Sequence, residues 1–504
     1  MIHTDVRAIV LAAGKSTRLK TGRNKLLEEL CGQPMILFST KLLSALNIPT
    51  TVVVGHEAEA LKKCIQEAHQ DKITFALQSS QEGTGSALRC TRSFWDKEHI
   101  LVINGDMPLI TTEVIEALYE KHIATDASVS FVMSHHIEPN SGYGRVVQKD
   151  NHIKIVEAKE FDGDTNEYCC VNAGIYLINT SFLKETIDTI AQNETTHEFH
   201  ITDLIAIASE QQRTVATINA PFDVIRGVNN QHELWAAEQI KRSELIKYWM
   251  ERGVRFSVAH NVHIDLDVTI GAGTYIGCGV HLLYGTTIGQ NCKIHEYTSL
   301  EYAHVGDNTQ VYPFSIISHA SVGSDASVGP FAHIKQGTSL GDRTAVGNFV
   351  EVKNSTFGAG SKAKHLSYIG DATLGNNVNV GAGTITCNFD GNKKHRTEIE
   401  DNAFVGSNST LVAPLHIGQG AFTAAGSTIN KDVPADALAV GRARQENKEG
   451  YAKRLLKKDI QPARLEQQTK TAAQETCASD TCKEKKTFMG AVRTTNDTII
   501  DEHR

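Results

Sequence analysis

Short apolar runs alternate with stretches of helical spacing over the first part of the chain. Ala8–Leu11, Thr51–Val54, Ile73–Leu77 and Ile100–Ile103 predict buried strands. Between them Met35–Leu46, Glu57–His69, Thr84–Ser93 and Thr112–His122 predict helices. Such alternation predicts an α/β, Rossmann-like domain whose sheet is mostly parallel and covered by helices. Ligands bind such sheets at the carboxyl ends of the strands. The sequence LAAG ends one predicted strand and NGDMP, residues 104–108, ends another. Residues 230–253 contain no proline and close on Gly253, which predicts one long connecting helix.

The period then changes. Ile270, Ile276, Leu282, Ile288, Ile294 and Leu300 recur every six residues, as do Val322, Val328, Ile334, Leu340, Val346 and Val352. Val305, Val311 and Ile317 join the two registers after a slip of one residue. Neither a helix nor a flat strand has this period, so it predicts a solenoid, the left-handed parallel β-helix of hexapeptide repeats. One aliphatic residue per six points inward on each face of a triangular coil, and the glycine that often follows it permits the corner. The expected organisation is an α/β domain over 1–229, a helical linker over 230–253 and a β-helix over 254–444. A lysine-rich polar tail over 445–504 is expected to be mostly disordered, with a short helix near Tyr451–Lys458.

Composition narrows the function classes. A length of 504 residues allows two to four domains, and 40% hydrophobic with 21% charged residues is ordinary for a soluble protein. A formal charge of −8 argues against a nucleic-acid or anionic-membrane binder, while leaving room for a nucleotide site with a few local cations. No run of eighteen apolar residues predicts a membrane span, and MIHTDVRAIVLAAG enters a strand without a signal-peptide pattern. Ten cysteines without metal-ligand spacing read as reduced thiols of a cytoplasmic protein.

Candidate chemistry begins at LAAGKSTRLKTGRNKLL, residues 11–27. Gly14, after small Ala12 and Ala13, lets backbone amides approach an anion, and Arg18 and Lys25 add cations. Transfer at the α-phosphorus of a triphosphate builds negative charge that such groups stabilise. A plain strand-to-helix turn with surface bases is the simpler reading of this loop alone. Asp106 ends a buried strand, and magnesium takes one or two protein oxygens beside phosphate and water.

Six further segments accompany the loop: QSSQEGTGSA (78–87), NGDMPL (104–109), GYGRVV (142–147), IVEAKEF (155–161), VNAGIY (171–176) and GVNNQ (227–231). Through them the chain from residue 6 to about 450 resembles the bifunctional bacterial enzymes that make UDP-N-acetylglucosamine. Those are N-acetylglucosamine-1-phosphate uridyltransferases fused to glucosamine-1-phosphate N-acetyltransferases. The resemblance implies that Leu11, Ala12, Ala13, Gly14, Lys25, Gln78, Gly83 and Thr84 hold UTP, with Asn104, Gly105 and Asp106 beside them. Gly144, Glu157, Asn172 and Asn229 would surround the sugar, Asp106 and Asn229 would bind Mg2+, and Arg18 with Lys25 would stabilise the transferring phosphate. Ser16 stands where the family has glycine, Arg23-Asn24 where it has Leu-Pro, and Asn104 where tyrosine is frequent. Loss of that proline predicts a more flexible loop.

The second site is implied by residues 347–391, which include KAKHLSYIGD and ITCNFDG. In the resembling acetyltransferases the histidine, here His365, is the general base, a task suited to an imidazole titrating near neutrality. Lys335, Lys353, Tyr368 and Asn379 would grip the sugar phosphate. Ala382, Asn388, Phe389, Ser407, Ala425 and Arg442 would line the acetyl-CoA site. Lys335 replaces an arginine of the family, losing the bidentate fork, and Phe389 replaces a tyrosine. The insert 388–396 breaks the period and would reach a neighbouring subunit of a homotrimer. The partners implied are small molecules alone: glucosamine-1-phosphate, N-acetylglucosamine-1-phosphate, UTP and acetyl-CoA, with no nucleic acid and no membrane. One rival keeps only a sugar-1-phosphate nucleotidyltransferase on a trimerising solenoid. Another is a zinc hydratase using His260, His263, His281, His295, His304, His319 or His333. A third is a non-enzymatic scaffold.

Overall fold

The computed structural model describes residues 4–14, 19, 22–70, 72–136, 142–149, 152–164 and 168–456. Met1–Arg442 form one compact unit and Ala443–Arg504 a second, whose described part carries the short helix Tyr451–Leu455. The tail from 457 lies outside the described residues. Among the described residues no helix is long and apolar enough to cross a membrane.

The first part is a twisted sheet between helical layers. Strand β1 is Val6–Ala12, β2 and β3 the small ribbon Glu29–Leu30 and Gln33–Pro34, β4 Thr50–Val54, β5 Thr74–Leu77 and β6 His99–Asn104. Then come β7 Val129–His135, the hairpin β8 Arg145–Lys149 and β9 His152–Val156, β10 Cys170–Asn179 and β11 Val215–Asn219. The order across the sheet is β11-β7-β10-β6-β1-β4-β5, with β8 and β9 attached to β10. β1 pairs in parallel with β4 and β6, as the alternation predicts. β10 runs antiparallel between β6 and β7, a reversal that alternation alone does not predict.

The pleat sends successive side chains to opposite layers. Ala8 and Val10 pack with Ile36, Leu61 and Ile65 of helices α1 (Ile36–Ala45) and α2 (Ala58–His69). Ile9 packs on the other side with Leu88, Phe182 and Leu204. These last come from α3 (Thr84–Arg89), α5 (Thr180–Thr186) and α6 (Asp203–Glu210), while α4 (Thr112–Ala124) lies on the first side. With both faces covered, the carboxyl ends of β1 and β6 form the rim where the chemistry gathers.

The long helix α7 spans Gln231–Met250. The Asn230 side chain accepts from the N–H of Glu233, whose own carboxylate accepts from the N–H of Asn229 at 2.6 Å. This reciprocal capping fixes the helix start and, with it, Asn229. Arg242 of α7 is buried, pairs with Glu238 at 2.8 Å and donates to His263 Nδ1 at 3.0 Å. His263 stacks on His281 with ring centroids 4.7 Å apart. Burial, then the Arg242 charge, lowers the pKa of both rings, a shift that Glu238 partly opposes at His263. The folded state therefore favours neutral histidine, and the unfolded chain takes up protons first as pH falls. Stability should be full above the ordinary histidine pKa of about 6.5 and decline below it. Thermal melts from pH 8 to pH 5.5 test this, and His263→Asn should flatten the decline.

The second part is a β-helix of three parallel sheets. The first face starts at Arg255–Phe256, the second at His263–Ile264 and the third at Thr269–Ile270, with eleven, ten and nine strands. Every aliphatic position of the six-residue series is buried. Threonine and serine at the turns close the inner ladder; Thr274, for example, donates to Gly289 O at 2.8 Å and accepts from Cys292 N. The one-residue slip has a definite place. The registers Ile270↔Ile288 and Ile288↔Val305 show that one coil is a residue shorter. Between the inward positions of the third and first faces the spacing is always six, and between the first and second it is six after the opening coil, where Phe256 and Ile264 stand eight apart around the turn Ala259–Asn261. Beyond that first coil all variation, including the insert between Thr386 and Thr397, occurs at the corner joining the second and third faces.

The reason for the glycines differs from the one expected. Those following the aliphatic positions do not generally have positive φ; a Cβ at Gly271 would come within 2.5 Å of the Gly289 carbonyl on the next coil. Close approach of neighbouring coils selects them. The left-handed positions at the corners are mostly taken by other residues, Asn291, Asn308 and Asp325 among them.

Candidate active sites

Two connected hollows open at the rim of the α/β domain. One, of about 510 Å³, is lined by Leu11, Ala12, Ala13, Gly14, Gln78, Gly83 and Thr84. The other, of about 340 Å³, is lined by Gly144, Glu157, Asn172 and Asn229, and by Tyr143, His200 and Thr202. Lys25, Thr84, Asn104 and Asp106 line both. Gly105 lies beneath them, its N–H donating to Leu11 O at 2.9 Å. Every nucleotide- and sugar-side residue expected from the sequence is thus at this cleft except Arg18, which with Ser16 lies outside the described residues.

Lys25 Nζ stands at the junction. It is 2.5 Å from Asp106 Oδ2, 3.1 Å from Asn229 Oδ1 and 3.3 Å from Val228 O. β6 delivers Asp106 and the capped start of α7 delivers Asn229. Val228 N–H also donates to Asp106 O at 2.9 Å, joining the two segments. An ammonium on these oxygens shows that carboxylate and amide converge on one cation. A carboxylate and an amide oxygen are hard donors that suit Mg2+, which leaves its other positions to phosphate and water.

The loop before Lys25 compensates for its missing proline. Asn24 is buried, with φ −63°, close to the angle a proline ring imposes. Its side chain accepts from Leu26 N at 3.0 Å and donates to His56 O at 3.4 Å. The flexibility expected here is therefore opposed by two side-chain bonds at Asn24.

Around the second hollow, Glu157 accepts from Thr202 Oγ1 at 3.0 Å and Asn172 donates to Tyr176 OH at 2.6 Å. Gly144 keeps Glu157 close, since a Cβ there would meet Ile155 at 2.8 Å. Tyr143 OH accepts from Gly227 N at 2.8 Å, and burial is the main cause raising its pKa to about 12. It therefore remains a neutral phenol. Tyr143, His200 and Thr202 were not singled out from the sequence. GYG marked the place of Tyr143, whereas His200 and Thr202 carried no local signal.

On the solenoid, His365 is exposed, with Nδ1 at 2.7 Å from Asn348 Oδ1. An amide oxygen only accepts, so Nδ1 is the donor in this pair, an arrangement that in a neutral imidazole assigns the acceptor role to Nε2. Asn348 lies one coil below in register and was not anticipated. Above His365 the same corner, between the first and second faces, carries Ala382, Ser407 and Ala425 on successive coils. Gly383 N donates to Leu366 O, Asn408 N to Ala382 O and Gly426 N to Ser407 O.

On the second face Lys335 sits one coil below Lys353 and pairs with Glu351 at 2.8 Å. Glu351 in turn pairs in register with Tyr368. Asn388 is buried, 2.5 Å from Asp371 Oδ2 and 3.5 Å from Tyr368 OH. Burial raises the Asp371 pKa, but hydrogen bonds from Asn354 and Asn388, with Lys394 and Arg396 nearby, outweigh it. The carboxylate thus anchors the insert. Two expected residues stand apart from these within one chain. Asn379 is on the first face between Lys362 and Phe404, and Arg442 is exposed beyond the last coil. Phe389 is exposed in the insert, with Asp390 and His395 joined at 2.7 Å beside it. Among the described residues no three of the solenoid histidines gather as metal ligands; His263 stacks on His281 and His295 on Tyr312.

Comparison with known proteins covers both parts. The MobA-like NTP transferase domain matches residues 8–150, the GMPPB C-terminal domain residues 258–356, and the hexapeptide repeat of succinyl-transferase residues 396–431. The bifunctional protein GlmU of Geobacillus thermodenitrificans is 40% identical over 454 residues, covering 89% of this chain and 98% of that protein. That of Geotalea daltonii is 41% identical over 453 residues, covering 88% and 98%. The GlmU of Pelobacter propionicus is 38% identical over 460 residues, covering 90% and 99%.

Proposed function

The chain belongs to the family of the bifunctional protein GlmU, and from that membership we propose how its residues divide two transfer reactions. It is a bifunctional enzyme, an N-acetyltransferase and a uridyltransferase that together make UDP-N-acetylglucosamine. Residues 1–229 act as the uridyltransferase domain, 230–253 as the linker and 254–444 as the acetyltransferase domain. The substrates, glucosamine-1-phosphate, acetyl-CoA and UTP, accord with a cytoplasmic enzyme, as do eight free cysteines among the described residues.

In the uridylyl step UTP occupies the hollow of Leu11–Gly14, Gln78, Gly83 and Thr84, and the sugar phosphate the hollow of Gly144, Glu157 and Asn172. A phosphate oxygen attacks the α-phosphorus in line, and pyrophosphate leaves. Lys25, at the junction of the hollows, stabilises charge on the transferring group, joined by Arg18. Asp106 and Asn229 would hold Mg2+, which when bound supplies further neutralisation of phosphate charge. The observation that carries this reading is the convergence of Lys25, Asp106 and Asn229 where the two hollows meet.

In the acetyl step His365 Nε2 takes a proton from the 2-ammonium of glucosamine-1-phosphate. The freed amine attacks the thioester carbonyl, and CoA leaves as the thiol. Lys335, Lys353, Tyr368 and Asn379 bind the sugar phosphate, and Ala382, Asn388, Phe389, Ser407, Ala425 and Arg442 the acetyl-CoA. Incubation with glucosamine-1-phosphate, acetyl-CoA, UTP and Mg2+ should yield UDP-N-acetylglucosamine. Absence of CoA release with intact pyrophosphate release would leave only the first activity.

The working form is a homotrimer. One feature supports it: the corner below His365 carries Tyr297, Phe314, Phe331, Phe349 and Leu366 in left-handed conformation, all about half-exposed or more. The aromatic rings stack at 5.1–5.3 Å. Left-handed positions ordinarily favour asparagine, aspartate or glycine, and an exposed apolar strip of this kind marks an association surface. Phe331→Glu with Phe349→Glu should shift the mass measured by light scattering from trimer to monomer. A trimer surviving both changes would move the interface elsewhere.

A further inference from the structure

A second group of ligating side chains lies at the opposite edge of the α/β sheet. Asp5 precedes β1, and Glu98 and His99 lie at the start of β6. Because these strands pair in parallel with Val6 opposite His99, the three residues meet at the amino ends of the strands. One ligand atom from each lies within 4.8 Å of the others, the only such trio of histidine, cysteine, aspartate or glutamate among the described residues. The length of β6, at about 3.3 Å per residue, puts them roughly 20 Å from Asp106. They belong to neither transfer site.

The histidine is the informative member. His99 is 5% exposed, and its Nε2 lies 3.9 Å from Asp5 Oδ2 and 4.0 Å from Glu98 Oε1. Those separations exceed hydrogen-bond range, and no described residue bonds this nitrogen. Its other nitrogen is held: Nδ1 is 3.2 Å from His122 Nε2, and His122 Nδ1 is 2.7 Å from Ser130 Oγ. Tyr119 OH donates to Asp5 Oδ2 at 2.7 Å. A nitrogen of the largely buried His99 ring thus faces two carboxylates across a gap, with outer partners steadying both the ring and one carboxylate. That is how proteins orient metal-binding histidines.

The gap also has a suitable size. Nitrogen and oxygen ligands about 2.0–2.2 Å from a tetrahedral zinc lie roughly 3.4 Å apart, so each carboxylate needs to approach His99 by about half an ångström, and the two carboxylates, within 4.8 Å of each other, by no more than about 1.4 Å. Glu98, whose side chain is 71% exposed, is free to supply that movement. An imidazole in the donor set favours a transition ion over magnesium.

We propose that Asp5, Glu98 and His99 bind one divalent transition-metal ion of the zinc class, clipping the segment before β1 to the start of β6. Water completes the coordination, because Glu98 faces solvent. The bound ion stabilises the sheet edge and takes no part in either transfer.

The test uses the full chain, stripped with EDTA and dialysed against ZnCl2 in the presence of excess Mg2+. Elemental analysis should find one zinc per chain, and the melting temperature should rise over the stripped protein. Asp5→Asn and Glu98→Gln keep side-chain size at partly exposed positions and so avoid a folding defect. Each should weaken zinc binding by more than about tenfold and abolish the thermal shift, leaving pyrophosphate release from UTP unchanged. Co2+ in place of zinc should show ligand-field absorption that His99→Gln removes. No retained zinc, or retention unaffected by Asp5→Asn and Glu98→Gln together, would overturn the proposal.

Discussion

Replacement of His365 by alanine should stop acetyl transfer while uridylyl transfer continues at its full rate. A positioned general base is worth about 10²–10⁴ in rate, and no other imidazole is registered at this corner beside Asn348. The side chain is exposed and makes its hydrogen bond only to Asn348, so its removal leaves the coil packing intact. The paired measurement is CoA release from acetyl-CoA with glucosamine-1-phosphate, and pyrophosphate release from UTP with N-acetylglucosamine-1-phosphate. Asn348→Ala should lower the first rate less severely and leave the second alone, because it removes the ring's orienting partner but not the base. Loss of both activities in folded His365→Ala would contradict two separate sites.

Asp106→Ala should have the opposite pattern. It removes the carboxylate that meets Lys25 at 2.5 Å and one of two oxygens suited to Mg2+, leaving Lys25 with Asn229 and Val228 O. Loss of preorganised charge at such a centre costs on the order of 10²–10³ in rate, and uridylyl transfer should fall at least that far. The bond from Val228 N to Asp106 O uses the main chain and survives the substitution. The local fold should therefore hold, with acetyl transfer unchanged. Asp106→Asn should recover little, since an amide carries no charge to balance phosphate-bound magnesium. Unaltered UTP turnover in either variant would remove Asp106 from the reaction.

Much of the architecture is legible in the pattern of apolar positions, for reasons that differ between the two parts. The β-helix repeats one local rule on every coil, so Ile270 and Val352 obey it equally and both are buried. In the α/β domain the buried strands stand out as β-branched runs, but β10 reads the same whichever way it runs, and its antiparallel course is set by partners distant in sequence. Short motifs marked the cleft because loops at strand ends are local. Lys25, Asp106 and Asn229 come from three separated segments, and only folding shows them within reach of one another. Tyr143, His200 and Asn348 escaped notice because their roles depend on what lies across the cleft or one coil away. The aromatic corner carried a signal that was available: Tyr297, Phe314, Phe331 and Phe349 recur at the length of one coil.

The unequal corners of the solenoid have a consequence for how such a chain can change length. From the coil of Ile276 onward, gain or loss of residues is confined to the corner between the second and third faces, where the insert 388–396 also departs. The corner that carries the stacked rings and His365 stays straight from Tyr297 through Leu366 because nothing is added or removed along that stretch. Drift in loop length is thereby separated from the seam where registry matters. Deletions at the variable corner should leave successive coils aligned along the seam, whereas one extra residue before Phe331 or Leu366 would throw the rest of the column out of step.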